Sequence, residues 1–246
     1  MNNQVESIRE RYLETLENIA RAARSGGRDP ESIKLVVVTK AQPVEVAQAA
    51  IEAGAHILGE NYAEEGVMKL QSLREFSAVE WHMIGHVQSR KAQLVAENFN
   101  YLHSLDSLKL AKRLDRFCGE AGRILPVLLE FNVGEEQSKS GWPAWNETLW
   151  PALLNELSSI LAMPNLKVRG LMTMPPLGQT AEFSRPYFKK SKRLQTYLAL
   201  QFPQADFAEL SMGTSTDYEA AVQEGATLVR VGTAIVGPRQ KKTEVG

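Results

Sequence analysis

The feature that most constrains this chain is an alternation, repeated eight times, of a short apolar run with a longer segment of helical periodicity. The apolar runs are rich in β-branched residues, which is typical of strands buried on both faces, and the intervening segments are typical of amphipathic helices. Strands separated by helices pair in parallel through right-handed crossovers. The predicted strands cover residues 33–40, 55–62, 80–87, 101–106, 125–133, 166–175, 207–213 and 227–237.

Eight such units in 246 residues predict a (β/α)8 TIM barrel, a fold whose usual length is about 250 residues. A helix with one apolar stripe is predicted over residues 2–25, and we expect it to fill the place of the eighth helix, because little chain follows the eighth strand. The competing architecture is an open doubly wound sheet. No linker or low-complexity tract divides residues 1–246, so a single domain is expected.

Two helix starts are predicted from local signals. Ser89 is a candidate N-cap for the helix after the third strand, because its hydroxyl can accept from an unpaired backbone N–H. The helix after the sixth strand is expected to start near residues 184–186.

Composition excludes several classes of function. The 28 basic and 29 acidic residues nearly cancel, which leaves no basic field for nucleic acid or an anionic membrane. The charged N-terminus does not resemble a signal peptide, and no apolar run approaches the ~18 residues of a membrane span. Cys118, the single cysteine, cannot form an intramolecular disulfide and is expected to be a small buried hydrophobe. We therefore expect a cytoplasmic protein with neither nucleic acid nor membrane as partner.

Lys40 stands at the end of the first apolar run, IKLVVVTK. In a barrel the functional face is built from the C-terminal ends of the strands. A partly desolvated lysine there has a lowered pKa, and its neutral amine can form a Schiff base with an aldehyde. The alternatives are a lysine extended to the rim, or one paired with Glu60 or Glu64.

The last two strands predict a phosphate site. Barrel enzymes commonly bind phosphate with the loops after strands seven and eight. The segment LSMGTSTD offers Gly213 and the hydroxyls of Ser211 and Ser215, and RVGTAIVG adds Gly232 and Thr233. Each segment alone is equally typical of ordinary turns.

The other polar positions are less informative. His82 and His86 share a face if both lie on a strand, but no third metal ligand is apparent nearby, so no metal is expected. Trp142 and Trp145 are interpreted as packing residues. Lys139, in the loop after the fifth strand, remains open as a second contact for a cofactor.

Together these segments resemble a known family. VVVTK, LGENY, WHMIGHVQSRK, HSLD, GEEQSKSG, GLMTMP, LSMGTSTD and LVRVGTAIVG are similar, in order, to the signature segments of the pyridoxal phosphate homeostasis proteins, the YggS/PROSC family. The resemblance covers about residues 5–237. It implies a barrel like the N-terminal domain of alanine racemase, of PLP fold type III, with pyridoxal 5′-phosphate as cofactor.

The resemblance also implies a role for each site residue. Lys40 would carry the cofactor as a Schiff base, Asn61 would lie near its ring, and Arg230 near its pyridine nitrogen. The phosphate would be held by Ser215, Gly232 and Thr233, with Ser211, Met212 and Gly213 forming the adjacent wall.

Two functions follow from the resemblance. The first is a non-catalytic carrier, expected to be a monomer, that holds pyridoxal phosphate or delivers it to apo forms of PLP-dependent enzymes. The second is an amino-acid racemase, which needs a second acid/base opposite the lysine. In alanine racemase a separate domain supplies that group, and 246 residues leave no room for it. The carrier is therefore the expected function.

Overall fold

The computed structural model describes residues 2–136, 139–176 and 180–238, and its parallel strands close into a barrel. The strands are β1 (Lys34–Val38), β2 (Ile57–Glu60), β3 (Glu80–Met83), β4 (Tyr101–Leu105), β5 (Leu125–Asn132), β6 (Trp142–Pro143), β7 (Leu166–Thr173), β8 (Glu209–Ser211) and β9 (Leu228–Val231). The two-residue β6 pairs only with β5. The other eight form a ring, because β4 pairs with β5 and β9 pairs with β1. The predicted TIM barrel is confirmed, and the open sheet is wrong.

Helices surround this ring. They are α1 (Asn2–Ser25), α2 (Val44–Glu52), α3 (Ala63–Ser72), α4 (Ala92–Asn98), α5 (Leu108–Glu120), α6 (Trp150–Leu161), α7 (Ala181–Gln201), α8 (Tyr218–Gln223) and α9 (Thr233–Val236). The first helix packs against α2, α8 and α9, so it fills the predicted place of an eighth helix. Arg11, on α1, links this helix to α9, because its Nε donates to the carbonyl of Ile235 at 2.5 Å. None of the helices described is both long and apolar enough to cross a membrane.

The prediction of a strand over residues 227–237 is wrong in its second half. Strand β9 ends at Val231, and α9 begins at Thr233. Gly232 breaks the extended backbone between them, with φ −116° and ψ −86°. The apolar run continues because Ile235 is buried as part of the helix, and an apolar run alone does not distinguish a strand from a buried helix.

Two predicted helix starts are also wrong. Ser89 is the first residue of a 3-10 turn whose N-cap is Gln88. Helix α7 begins at Ala181, because the Thr180 side chain caps it by accepting from the N–H of Phe183. Pro186 therefore lies inside the helix, in its second turn.

The barrel wall separates two sets of buried side chains, since successive residues of a strand point to opposite faces. The larger set fills the space between wall and helices and includes Cys118, which is buried as predicted. The smaller set lies inside the barrel and contains Val36, Tyr101, Leu128, Met172 and Leu228. Several other inward positions on the same strands carry polar side chains, and these lead to the site.

Candidate functional site

The predicted site residues lie along one arc of the barrel mouth. Lys40 and Asn61 follow the ends of β1 and β2, whereas the remaining residues lie at the ends of β8 and β9 or in the loops after them. These strands are neighbours in the order β2, β1, β9, β8. The C-terminal ends of adjacent parallel strands meet at the same edge, so the fold brings all of these residues to one side of the opening.

Arg230 forms the base of this arc. Its side chain is buried, and it donates to Ser211 Oγ at 2.5 Å and to the carbonyl of Thr173 at 3.0 Å. Its backbone N–H donates to the carbonyl of Gly213 at 3.1 Å. Burial lowers the pKa of Arg230 to about 10, which leaves the guanidinium charged at neutral pH. The arc thus contains a fixed, buried cation.

Next to this cation, the loops after β8 and β9 converge. The N–H of Gly232 donates to Ser215 Oγ at 3.2 Å, and Thr233 follows at the exposed edge. A Cβ on Gly232 would lie 3.2 Å from both the Cβ and the carbonyl of Val38, a tight contact, so glycine favours the close approach of this loop to β1. Hydroxyls and backbone N–H groups are the donors that phosphate requires, and this set fits a phosphate group.

Gly213 shapes the phosphate cradle, our name for the set formed by Ser215, Gly232 and Thr233, from the side of α8. Its backbone has φ +89°, which favours glycine, and a Cβ there would lie 2.6 Å from the Cβ of Ala221 and 2.9 Å from the Cα of Tyr218. Both contacts belong to the start of α8 or its first turns. The β8–α8 loop can therefore lie close to α8 only with glycine at this position.

On the other side of β9, Lys40 and Asn61 follow β1 and β2. Lys40 is partly buried and lies in a turn between Thr39 and Ala41. Of the two acids considered as partners for it, Glu60 also binds Lys69 and Glu64 also binds Lys91.

Asn61 is held by a close approach of two loops. A Cβ on Gly85 would lie 2.6 Å from the Cα of Asn61, so the loop after β3 packs directly on the backbone that carries the asparagine. Sequence analysis did not single out Gly85, although its place in the IGH segment was a signal.

A chain of polar side chains runs through the barrel interior below Arg230. Ser211 Oγ lies 2.9 Å from His103 Nδ1, His103 Nε2 lies 2.9 Å from His82 Nδ1, and His82 Nε2 lies 3.1 Å from Glu80 Oε2. Burial lowers the pKa of both histidines, so both are neutral, and the hydrogen bond to His82 is the main cause that lowers the pKa of Glu80.

The neutral state fixes the direction of these hydrogen bonds. The Glu80 carboxylate accepts from His82, so the Nδ1 of His82 must accept from His103, and the Nδ1 of His103 must accept from Ser211. Arg230, which only donates, begins the chain. Each hydrogen bond therefore points from the mouth toward the opposite end of the barrel, and these residues orient the Arg230 side chain. The sequence analysis did not identify His103, and only the inward register of β4 could have indicated it.

Glu130 is a second residue that sequence analysis missed. It lies on β5, and its Oε2 is buried without a hydrogen-bond partner among the described residues. Burial, and then the charge of Asp106, raise the pKa of Glu130 to about 7, although Arg230 and Lys139 oppose the shift. The site therefore contains a carboxyl group that titrates near neutral pH.

Two other residues considered earlier lie apart from the arc. His86 follows the end of β3, is exposed, and binds Asp106 at 2.8 Å, so it does not share the buried position of His82. Lys139 donates to the carbonyls of Met174 and Pro175, at 3.1 and 2.5 Å, in the loop after β7. Gln137 and Ser138, from the same GEEQSKSG segment, lie outside the described residues.

Comparison with known proteins first defines the class. The sequence model described as alanine racemase, N-terminal domain, matches residues 13–240. The alanine racemase of Clostridium difficile 630 superposes with a TM-score of 0.68 at 18% identity, covering 96% of this chain and 58% of that one. At that identity the likeness concerns the fold alone. The class is that of barrels built like the N-terminal domain of alanine racemase.

More similar proteins narrow this to one family. A pyridoxal phosphate homeostasis protein of Vibrio alginolyticus is 42% identical over 217 residues, which are 87% of this chain and 89% of that protein. The structure of PipY from Synechococcus elongatus PCC7942 with PLP bound has a TM-score of 0.80 and 35% identity, and covers 94% of this chain and 100% of that one. The chain belongs to the family of pyridoxal phosphate homeostasis proteins.

Proposed function

We propose that this protein binds pyridoxal 5′-phosphate at Lys40 and serves to hold and deliver it without catalytic turnover. The observation that carries the proposal is the shared arc: the Lys40 turn follows β1, and Gly232 packs against Val38 of the same strand while donating to Ser215. Lys40 and the phosphate donors therefore both lie next to the C-terminal end of β1. The family relationship and PLP-bound PipY support the choice of ligand.

Each residue of the arc has one task in this proposal. The amine of Lys40 would bond to the aldehyde carbon of the cofactor, with loss of one water molecule. Ser215, Gly232 and Thr233 would hold the phosphate, with the hydroxyls of Ser215 and Thr233 as donors to its oxygens, and Asn61 would contact the ring. Gly213 keeps the loop close to α8, and Ser211 holds Arg230 by accepting its hydrogen bond.

The nature of Arg230 is compatible with a carrier. Bound pyridoxal phosphate supplies an aldehyde for the lysine and a ring that can stabilise a neighbouring carbanion, most strongly when the ring nitrogen is protonated. In our proposal Arg230 faces that nitrogen, and a guanidinium cannot accept a proton from it. Arg230 is also held by Ser211 and Thr173, so it stays in place. A ring held unprotonated is suited to storage and release.

The test is an absorbance titration with pyridoxal phosphate of the wild type, Lys40→Ala and Lys34→Ala. Lys34 is a matched control because it lies at the opposite end of β1, where it binds Glu209. We expect a visible absorbance band in the wild type and in Lys34→Ala, and none in Lys40→Ala. Borohydride reduction followed by peptide mapping should place the label on Lys40. The same spectrum from all three proteins would refute the proposal.

Turnover is tested on the loaded protein. D- and L-alanine are added in D2O, and the α-hydrogen is followed by NMR. No exchange is expected from a carrier, whereas Lys40-dependent exchange would favour the racemase. Delivery is tested by mixing loaded protein with an apo PLP-dependent enzyme and measuring recovered activity. The monomeric state and the cytoplasmic location stay predictions, and size-exclusion chromatography with light scattering tests the first.

A further inference from the structure

A buried lysine lies beneath the turn that carries Lys40. The side chain of Lys69, on α3, is 0% exposed, and its ammonium donates to the carbonyl of Thr39 at 2.7 Å, to Glu60 Oε1 at 2.8 Å and to Glu65 Oε1 at 2.6 Å. An ammonium group has three hydrogens, so these contacts use all of them. One contact reaches the turn directly, and the other two reach carboxylates that bind the turn themselves.

Both carboxylates fix the residues on either side of Lys40. Glu60 Oε1 accepts from the hydroxyl of Thr39 at 2.6 Å. Glu65 Oε1 accepts from the backbone N–H of Ala41 at 2.8 Å. The backbone is therefore held immediately before and immediately after Lys40, by groups that Lys69 in turn holds together.

The backbone of this turn is unusual. Ala41 has φ +54°, in the left-handed region that residues with a Cβ rarely adopt. Such a conformation persists only where the surroundings impose it, and the hydrogen bond from Ala41 to Glu65 does so here. Burying the Lys69 ammonium with one fully buried carboxylate, Glu60, and one partly buried carboxylate, Glu65, is a poor way to gain stability compared with apolar packing. A functional reason for the cluster is therefore worth seeking.

We propose that Lys69, Glu60 and Glu65 form a positioning cluster that presets the turn, so that the Lys40 amine meets the aldehyde carbon without prior rearrangement of the backbone. This inference rests on the proposed function. If only a fraction of molecules had the turn in its reactive conformation, the apparent affinity would fall by that fraction. The cluster keeps the fraction near one.

The test compares Glu65→Ala with Glu64→Ala. The two residues are neighbours in the first turn of α3, but Glu64 is an exposed partner of Lys91, whereas Glu65 accepts from the backbone N–H of Ala41 and from Lys69. The bond between Lys40 and pyridoxal phosphate is followed by stopped-flow absorbance. In parallel, the dissociation constant is measured for pyridoxine 5′-phosphate, the analogue with an alcohol in place of the aldehyde, which cannot bond to Lys40.

We expect Glu65→Ala to slow formation of the bond about tenfold or more, because misplaced reacting groups cost rates of that order. Its affinity for the alcohol analogue should stay within about twofold of wild type, since the phosphate cradle is elsewhere on the arc. Glu64→Ala should match the wild type in both measurements. Glu65→Gln keeps an oxygen acceptor for Ala41 and should recover part of the rate.

Two results would overturn this inference and leave the proposed function standing. One is an equal rate of bond formation in Glu65→Ala and Glu64→Ala. The other is a loss of affinity for the alcohol analogue in Glu65→Ala that is as large as the loss for pyridoxal phosphate. The second would mean that the whole mouth had moved. If the wild type itself shows no Lys40-dependent band, the proposed function fails, and this inference fails with it. Should Glu65→Ala not fold, Glu65→Gln takes its place in the comparison. Equal rates of bond formation in Glu65→Gln and Glu64→Ala would then overturn the inference.

Discussion

The buried carboxyl of Glu130 makes the stability of this protein depend on pH in a direction opposite to that of most carboxyl groups. Its Oε2 has no partner among the described residues, and burial is the main cause that raises its pKa from 4.5 to about 7. In the unfolded chain the group regains its ordinary pKa. Between these two values the folded state binds the extra proton, so the free energy of unfolding falls as pH rises.

The size of the effect follows from the shift. Each unit of pKa difference is worth about 1.4 kcal/mol, so the stabilisation present below pH 4.5 and lost above pH 7 is about 3 kcal/mol. Glu130→Gln cannot ionise and escapes this loss. Relative to the wild type, the variant should gain about 2–3 kcal/mol between pH 5 and pH 8.

Urea unfolding of both proteins at pH 5 and pH 8 measures this difference, and other titrating groups cancel when the two proteins are subtracted. Glu10→Gln, an exposed site on α1, is the control and should show no pH-dependent difference. If the Glu130→Gln difference is the same at both pH values, or if the wild type gains on the variant at pH 8, the assignment of a raised pKa is refuted.

Three further predictions concern other buried groups. Lys69→Met leaves Glu60 buried without its cation and should cost about 3–5 kcal/mol in urea unfolding, whereas the same change at the surface pair, Lys91→Met, should cost about 1 kcal/mol or less. In calorimetry, Gly213→Ala should bind pyridoxal phosphate more weakly than the wild type does. Gly27 also has a positive φ, +68°, but nothing lies within 4 Å of a Cβ there, so Gly27→Ala should bind as the wild type does. By 15N NMR at about pH 7.5, where both imidazoles are neutral, His82 and His103 should both carry their proton on Nε2.

These predictions fail on definite results. If Lys69→Met and Lys91→Met lower the free energy of unfolding equally, then leaving Glu60 buried without its cation does not destabilise the folded state. Equal binding by the two glycine variants would mean that the approach to α8 does not shape the cradle. A charged imidazolium at either histidine would contradict the one-way chain of hydrogen bonds.

The fold followed from sequence because two periodicities alternate without interruption. The errors lie where these periodicities say little. An apolar run such as TAIV satisfies a short strand or a buried helical turn equally, so α9 was predicted as part of a strand. Pro186 suggests a helix start, yet α7 begins earlier because Thr180 provides the cap.

The site was predictable only as far as residues at strand ends. Lys40, Arg230 and the glycines stand at positions where any barrel puts function, but Lys69 lies in the middle of a helix, where a lysine is usually solvated. Its signal was its place three residues after the buried Gly66, on the face that packs inward. Glu65 lies four residues before it on the same helix, but Thr39 and Glu60 come from the turn after β1 and from β2, and that convergence appears only in three dimensions.

The closure of the barrel has a consequence for the growing chain. Strand β1 pairs with β2 on one side and with β9 on the other, so Lys34 meets Leu228, a partner made roughly 190 residues later. At a ribosomal rate of about 5–20 residues per second, β1 waits on the order of 10–40 s with one edge unpaired. Helix α1 waits as long for α8 and α9. During synthesis we therefore expect the apolar segment KLVVV, with its unpaired edge, to be the part of the chain most prone to aggregation.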